Sequence, residues 1–212
     1  MIRYKQSTSA LALFGALGLA ACGKTADKVA DTIEFQGRFQ TAPRNELSVQ
    51  ANGIGCAVHE ADVTAMNLAI KQTFYGKVDC TGEPLGQLVT EGSFSVGAEL
   101  PIAPGARAMD YTVSKVVVTS HSAEWLKALN LDASGNCAIG DLPAGASREI
   151  TGLDCGVLGK LPGKDQVFYT SFALNNDELK LTLPPNELIQ HVGPANATIE
   201  RAQDLKLVYI RK

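Results

Sequence analysis

Three potential metal ligands, His59, Glu60 and Asp62, stand within four residues of one another, and His121 and Glu124 stand three apart. A metal site needs its donors to converge on one point. A strand or turn would splay His59-Glu60-Ala61-Asp62, so a solvated polar loop is the expectation there. His121 and Glu124 can meet across the start of a helix, where a glutamate favours the positive end of the dipole, so capping accounts for them. Asp79 and Asp154 each precede a cysteine and read as turn residues, because no spacing fixes a partner carboxylate for proton transfer. His191 stands alone. The chain carries no G-x-S-x-G elbow, no S-x-x-K, no H-E-x-x-H, no phosphate-cradling Walker loop and no dinucleotide glycine fingerprint. The expectation is a protein that is not an enzyme, with no catalytic residue, no metal and no cofactor.

The cysteines say more. Cys22 follows Leu19-Ala20-Ala21, at the end of an uncharged segment over 10–19 that is preceded by Arg3 and Lys5. A basic start, a short apolar middle and small residues before a cut are the anatomy of a secretory signal. Ten helical residues reach about 15 Å, roughly half a bilayer's hydrocarbon core, which is too short to span it. The run Leu19-Ala20-Ala21-Cys22 resembles the lipobox of bacterial lipoproteins. The resemblance implies a signal peptide over 1–21 and fatty acyl chains, palmitate among them, on Cys22. It also implies a tether over 22–32 and, from Gly23 after the anchor, sorting to the outer membrane with the body facing the periplasm. The other four cysteines, Cys56, Cys80, Cys137 and Cys155, make an even set suited to an oxidising compartment, and none has C-x-x-C spacing. Three pairings are possible. Cys56–Cys80 and Cys137–Cys155 close short, separate loops and are the expected ones.

Charge narrows the partners. The 212 residues hold 19 basic and 22 acidic side chains; without Arg3 and Lys5, 17 stand against 22, a formal charge of −5. That balance offers no clustered basic face for nucleic acid and no polybasic patch for anionic lipid heads. The membrane must therefore be held by acyl chains on Cys22.

The elements that would position any site are mostly strands. Alternating or β-branched runs occur at 33–39, 47–59, 68–75, 88–96, 111–120, 166–174, 178–183 and 205–210. Asn175-Asn176-Asp177 is good hairpin chemistry, since Asn and Asp tolerate positive φ. One segment, 122–129, argues for helix, with Ser122 as its N-cap and Trp125, Leu126 and Leu129 on one face. A weaker helix begins at Pro185 and runs to His191. The loops over 97–106 and 130–161 are long. The expected fold is all-β, one antiparallel barrel over 33–212 with one or two short helices and two disulfides.

Gly37-Arg38-Phe39 resembles the Gly-x-Trp/Phe signature on the first strand of lipocalin-like proteins. Residues 71–80, with Cys80 after an aromatic-rich strand, and Glu91-Gly92-Ser93-Phe94-Ser95-Val96-Gly97 are similar to the adenomatosis-polyposis-coli-down-regulated domain. The match covers about 33–175, and Phe39 stands where a tryptophan would fit better. The resemblance implies a lipocalin-like barrel with an apolar lumen. Strand alternation places Phe94, Val96, Tyr111, Val113, Phe168 and Phe172 inward as candidate contacts for a small apolar molecule or lipid. Trp125 is expected to pack the helix on the barrel. The competing expectation is an envelope protein-interaction or assembly module with a plugged barrel and no ligand.

Overall fold

Strand after strand alternates an apolar side chain with a polar one, and an antiparallel sheet built this way must curl until the apolar face is shut from water. The computed structural model describes residues 36–43, 54–129, 137, 142–155, 158–182, 205 and 207–212. Its elements are β1 (Gly37–Thr41), β2 (Cys56–Thr64), β3 (Asn67–Tyr75), β4 (Pro84–Glu99), β5 (Ala106–Ser120), α1 (Ala123–Ala128), β6 (Ser147–Glu149), β7 (Val167–Asn175), β8 (Glu178–Leu181) and β9 (Leu207–Arg211). Among the described residues, eight strands form a closed ring in the order β1-β2-β3-β4-β5-β7-β8-β9, every neighbour antiparallel. The ring closes where β9 pairs with β1, Phe39 opposite Arg211 and Thr41 opposite Tyr209. The fold is therefore the expected all-β antiparallel barrel, with both expected disulfides, Cys56–Cys80 and Cys137–Cys155.

β5 shares one edge between two partners. Its residues 106–112 pair with β7 and 117–119 with β6. Between them Asp165 and Ile150 donate backbone N–H bonds to the carbonyls of Val113 and Val116, so the edge is covered throughout. Sequence reading did not anticipate β6, whose three exposed residues carry no pattern.

Several boundaries differ from expectation, among them the start of β5, at Ala106 rather than at 111. β2 begins at Cys56 and runs to Thr64, so His59-Glu60-Ala61-Asp62 is mid-strand rather than a polar loop. Outward Glu60 and Asp62 are stabilised there by cross-strand ion pairs with Lys71 and Arg38. The expected 97–106 loop is shorter, because β4 continues to Glu99. Residues 1–21, the 22–32 tether with Cys22, residues 33–35 and the 185–191 helix lie outside the described residues.

The ring has two ends. At the terminal end β1 begins and β9 finishes, beside the β2–β3, β4–β5 and β7–β8 turns. At the stapled end lie both disulfides, α1 and the chain between β5 and β7. On the outer wall of β2–β5, side chains such as Glu60, Asp62, Lys71, Gln87, Glu91 and Lys115 stand where a membrane-spanning barrel needs an apolar band. Among the described residues no helix is long and apolar enough to cross a membrane.

Candidate functional site

The six side chains chosen by alternation all lie on the inner face of β4, β5 and β7. Phe94 is opposite Tyr111, and Tyr111 is opposite Phe168. Val96 stands opposite Met109, Val113 opposite Gly92 and Phe172 opposite Arg107, so the six share one wall. Val96 is half-buried against the core; the other five are buried. Gly92 makes this wall possible, since a Cβ there would collide with the Thr112 carbonyl and the Tyr111 ring. The ring passes over that gap, and the hydroxyl donates to the carbonyls of Leu68 at 3.2 Å and Thr90 at 3.3 Å. Burial, reinforced by the Glu91 charge, pushes the Tyr111 phenol well above its ordinary value, so it stays a neutral donor.

Sequence reading missed a second inner feature, a polar row carried by β9, β1, β2 and β3. Tyr209 is opposite Thr41, the His59 backbone N–H donates to Thr41 Oγ1 at 3.1 Å, and His59 is opposite Gln72. All four side chains are buried. The signal was present: in Ala57-x-His59-x-Ala61-x-Val63 and Leu68-x-Ile70-x-Gln72-x-Phe74, the polar residue keeps the apolar phase. The same phase sends Glu60 and Asp62 to the opposite face from His59, so the three cannot converge on a metal.

Among the described residues, the inner face is closely packed. From Phe39 and Thr41 on β1 to Leu207 and Tyr209 on β9, the inward side chains of the barrel's middle layers are at most 5 % exposed. A void wide enough to admit water would leave its lining accessible; these side chains occupy the space themselves.

The stapled end is shut by α1. Ser122 caps it, its Oγ accepting from the Trp125 backbone N–H at 3.2 Å and donating to Glu124 Oε2 at 2.9 Å. Glu124's own backbone N–H and then the Ser122 hydroxyl hold its carboxyl below the usual range. The cap fixes Trp125, whose indole lies over Gly86 with its centroid 5.8 Å from that of Phe74. A Cβ at Gly86 would collide with the indole. Trp125 thus packs the helix on the barrel, as its lone position among apolar neighbours implied. Cys56–Cys80 ties the start of β2 to the β3–β4 loop, and Cys137–Cys155 ties the 121–166 excursion to itself.

The terminal end is held by charge. The Arg211 guanidinium lies 4.7 Å over the Phe39 ring, donates to the Gln36 carbonyl at 2.7 Å and pairs with Asp177 at 3.3 Å. Glu60 receives Lys71 and Lys212. Burial raises the Glu60 carboxyl, but the hydrogen bonds and charges of the two lysines outweigh it and hold the group below its ordinary value. A depression of about 290 Å³ on the outer wall includes Asp62, Thr64, Asn67, Ala69, Glu91 and Ser114 in its lining. Its carboxylates are already paired, Asp62 with Arg38 at 3.2 Å and Glu91 with Lys115 at 3.2 Å. Among the described residues no three His, Cys, Asp or Glu side chains gather to hold a metal.

Fold and interior together define a closed antiparallel barrel whose described inner side chains are buried. No protein-family profile and no curated protein matches the chain.

Proposed function

We propose that the chain is an interaction module of the bacterial cell envelope, held at the outer membrane by acyl chains on Cys22, with the barrel as scaffold. The observation that carries this reading is the burial of the inner face: a carrier of one small guest needs an interior of several hundred cubic ångströms, and among the described residues the inward side chains of the middle layers are at most 5 % exposed. Leu19-Ala20-Ala21-Cys22 and the two disulfides support the compartment. The stapled end offers the partner surface, because loops fixed on a rigid frame are where contacts concentrate. Val78, 68 % exposed in the β3–β4 loop, and Leu153, 37 % exposed, stand there. Photocrosslinkers placed at these two positions in the native host should capture one discrete envelope protein, while the same probe at Ser95 on the outer wall should not.

The second reading is a carrier of a small apolar molecule or lipid through Phe94, Val96, Tyr111, Val113, Phe168 and Phe172. The inward wall of Phe94, Tyr111 and Phe168 favours it, since such a guest is held mainly by apolar and aromatic side chains. Native mass spectrometry of the acylated chain decides between the two. Protein with no bound lipid and no fatty-acid uptake supports the scaffold, and a stoichiometric guest supports the carrier.

A further inference from the structure

β4 and β5 are the longest strands, and together they reach past their neighbour. β3 ends its pairing at Asn67 opposite Ser93, yet β4 continues through Glu99. Six more residues make about 20 Å of strand beyond the β2–β3 turn on that edge, while on the other edge β7 accompanies β5 to Ala173 opposite Ala106. The hairpin's base is charged, with Glu99 opposite Arg107, but the residues between them, Leu-Pro-Ile-Ala-Pro-Gly-Ala, carry no charge. The tip is held in shape by Leu100 N–H donating to the Ala106 carbonyl at 2.8 Å and Ala106 N–H donating to that of Ala103 at 3.1 Å. Pro101 and Pro104 are exposed, and Leu100 and Ile102 are half-buried. Met66, 38 % exposed, lies in the β2–β3 turn at the same end.

That end is also where β1 starts. Fourteen residues separate Cys22 from Gly37. Fully extended they reach at most about 50 Å. Gly37, the first residue of β1, lies at the terminal end, so a tether of this length from Cys22 lets that end rest against the lipid. We propose that the 100–104 tip inserts into the lipid surface as a second contact, orienting the barrel with its stapled end away from the membrane. This inference rests on the acylated Cys22 of the reading above. The tether makes tip insertion intramolecular, so a weak apolar contact is enough. Arg38, Arg211 and Lys212 at this end are each paired with an acid, so insertion is apolar in origin and insensitive to salt.

The test uses the full acylated chain in phosphatidylethanolamine–phosphatidylcholine vesicles. An environment-sensitive fluorophore is attached through Ile102→Cys, through Pro104→Cys as a second reporter, or through Val78→Cys at the stapled end. The expected result is blue-shifted emission at 102 and 104, quenched several-fold more by spin-labelled lipid than at 78, at low and high salt alike. With Cys22 acylated by intact mass, water-like emission at 102 and 104 overturns the insertion and leaves the anchor standing. Quenching at 78 alone overturns it too, as does a blue shift that lipid quenchers do not reach, which marks a protein contact. A mature chain bearing no acyl group removes the anchor and the insertion together.

Discussion

At the stapled end, the chain shuts the lumen with covalent and apolar links: two disulfides, an indole set into the space over a glycine, and an excursion of which Cys137, Leu142, Ile150 and Leu161 join the core. At the terminal end the strands stay paired, through a register shift between Val96 and Glu99, and are tied by Arg211 and Lys212 to carboxylates and to one aromatic face. The contrast follows the backbone. Where ladders are continuous, hydrogen bonds already fix the strands and exposed ion pairs suffice. Where the chain leaves the sheet, ordering it costs entropy that regular pairing does not return, so cross-links and bulk apolar burial take over.

Substitutions at each end probe that contrast, the strongest first. Trp125→Ala opens a cavity over Gly86 and Phe74 and should destabilise by about 3–5 kcal/mol in denaturant unfolding; a loss under about 1 kcal/mol would show that the stapled end does not depend on its cap. Removing Cys56–Cys80 by paired serine substitution frees a 24-residue span and should cost about 3 kcal/mol, read from the same curves under non-reducing conditions. At the terminal end, Arg211→Ala loses the Phe39 stacking and a largely solvent-screened pair with Asp177, for about 1 kcal/mol. An effect as large as that of Trp125→Ala would erase the distinction.

Glu60→Gln sharpens the comparison through pH. The folded carboxyl lies below its ordinary value, so its stabilisation is complete above the range where unfolded glutamate titrates and is lost as pH falls through the folded value. The variant should be less stable than the parent by under about 1 kcal/mol at neutral pH. The two should converge as pH falls through the folded value, once the carboxyl is protonated in both states. A gap that persists in acid would mean that geometry rather than charge is being lost.

Most of the wall was legible because alternation is a local signal: β3, β7 and the Asn175-Asn176-Asp177 turn, with Asn176 at φ +52°, lie where their residues put them. The inward sides of Phe94, Tyr111 and Phe168 followed from the same period. What escaped was decided at long range. β2 extends through Glu60 and Asp62 between two neighbouring strands, which bring Lys71 and Arg38 beside them. β6 exists only because β5 has an edge to spare. His59 and Gln72 looked like surface residues by type, and only their phase betrayed them. Whether the lumen is hollow could not be read from period at all, since inward direction says nothing about how far side chains from opposite walls interdigitate.

The seam between β1 and β9 joins positions up to 175 residues apart in the chain. No shorter nascent length can finish the wall, so a chain still being made lacks the strand that joins its two margins. Completion of the ring is thereby timed to the arrival of β9, so the polypeptide commits to a rigid shape only once its last strand is present.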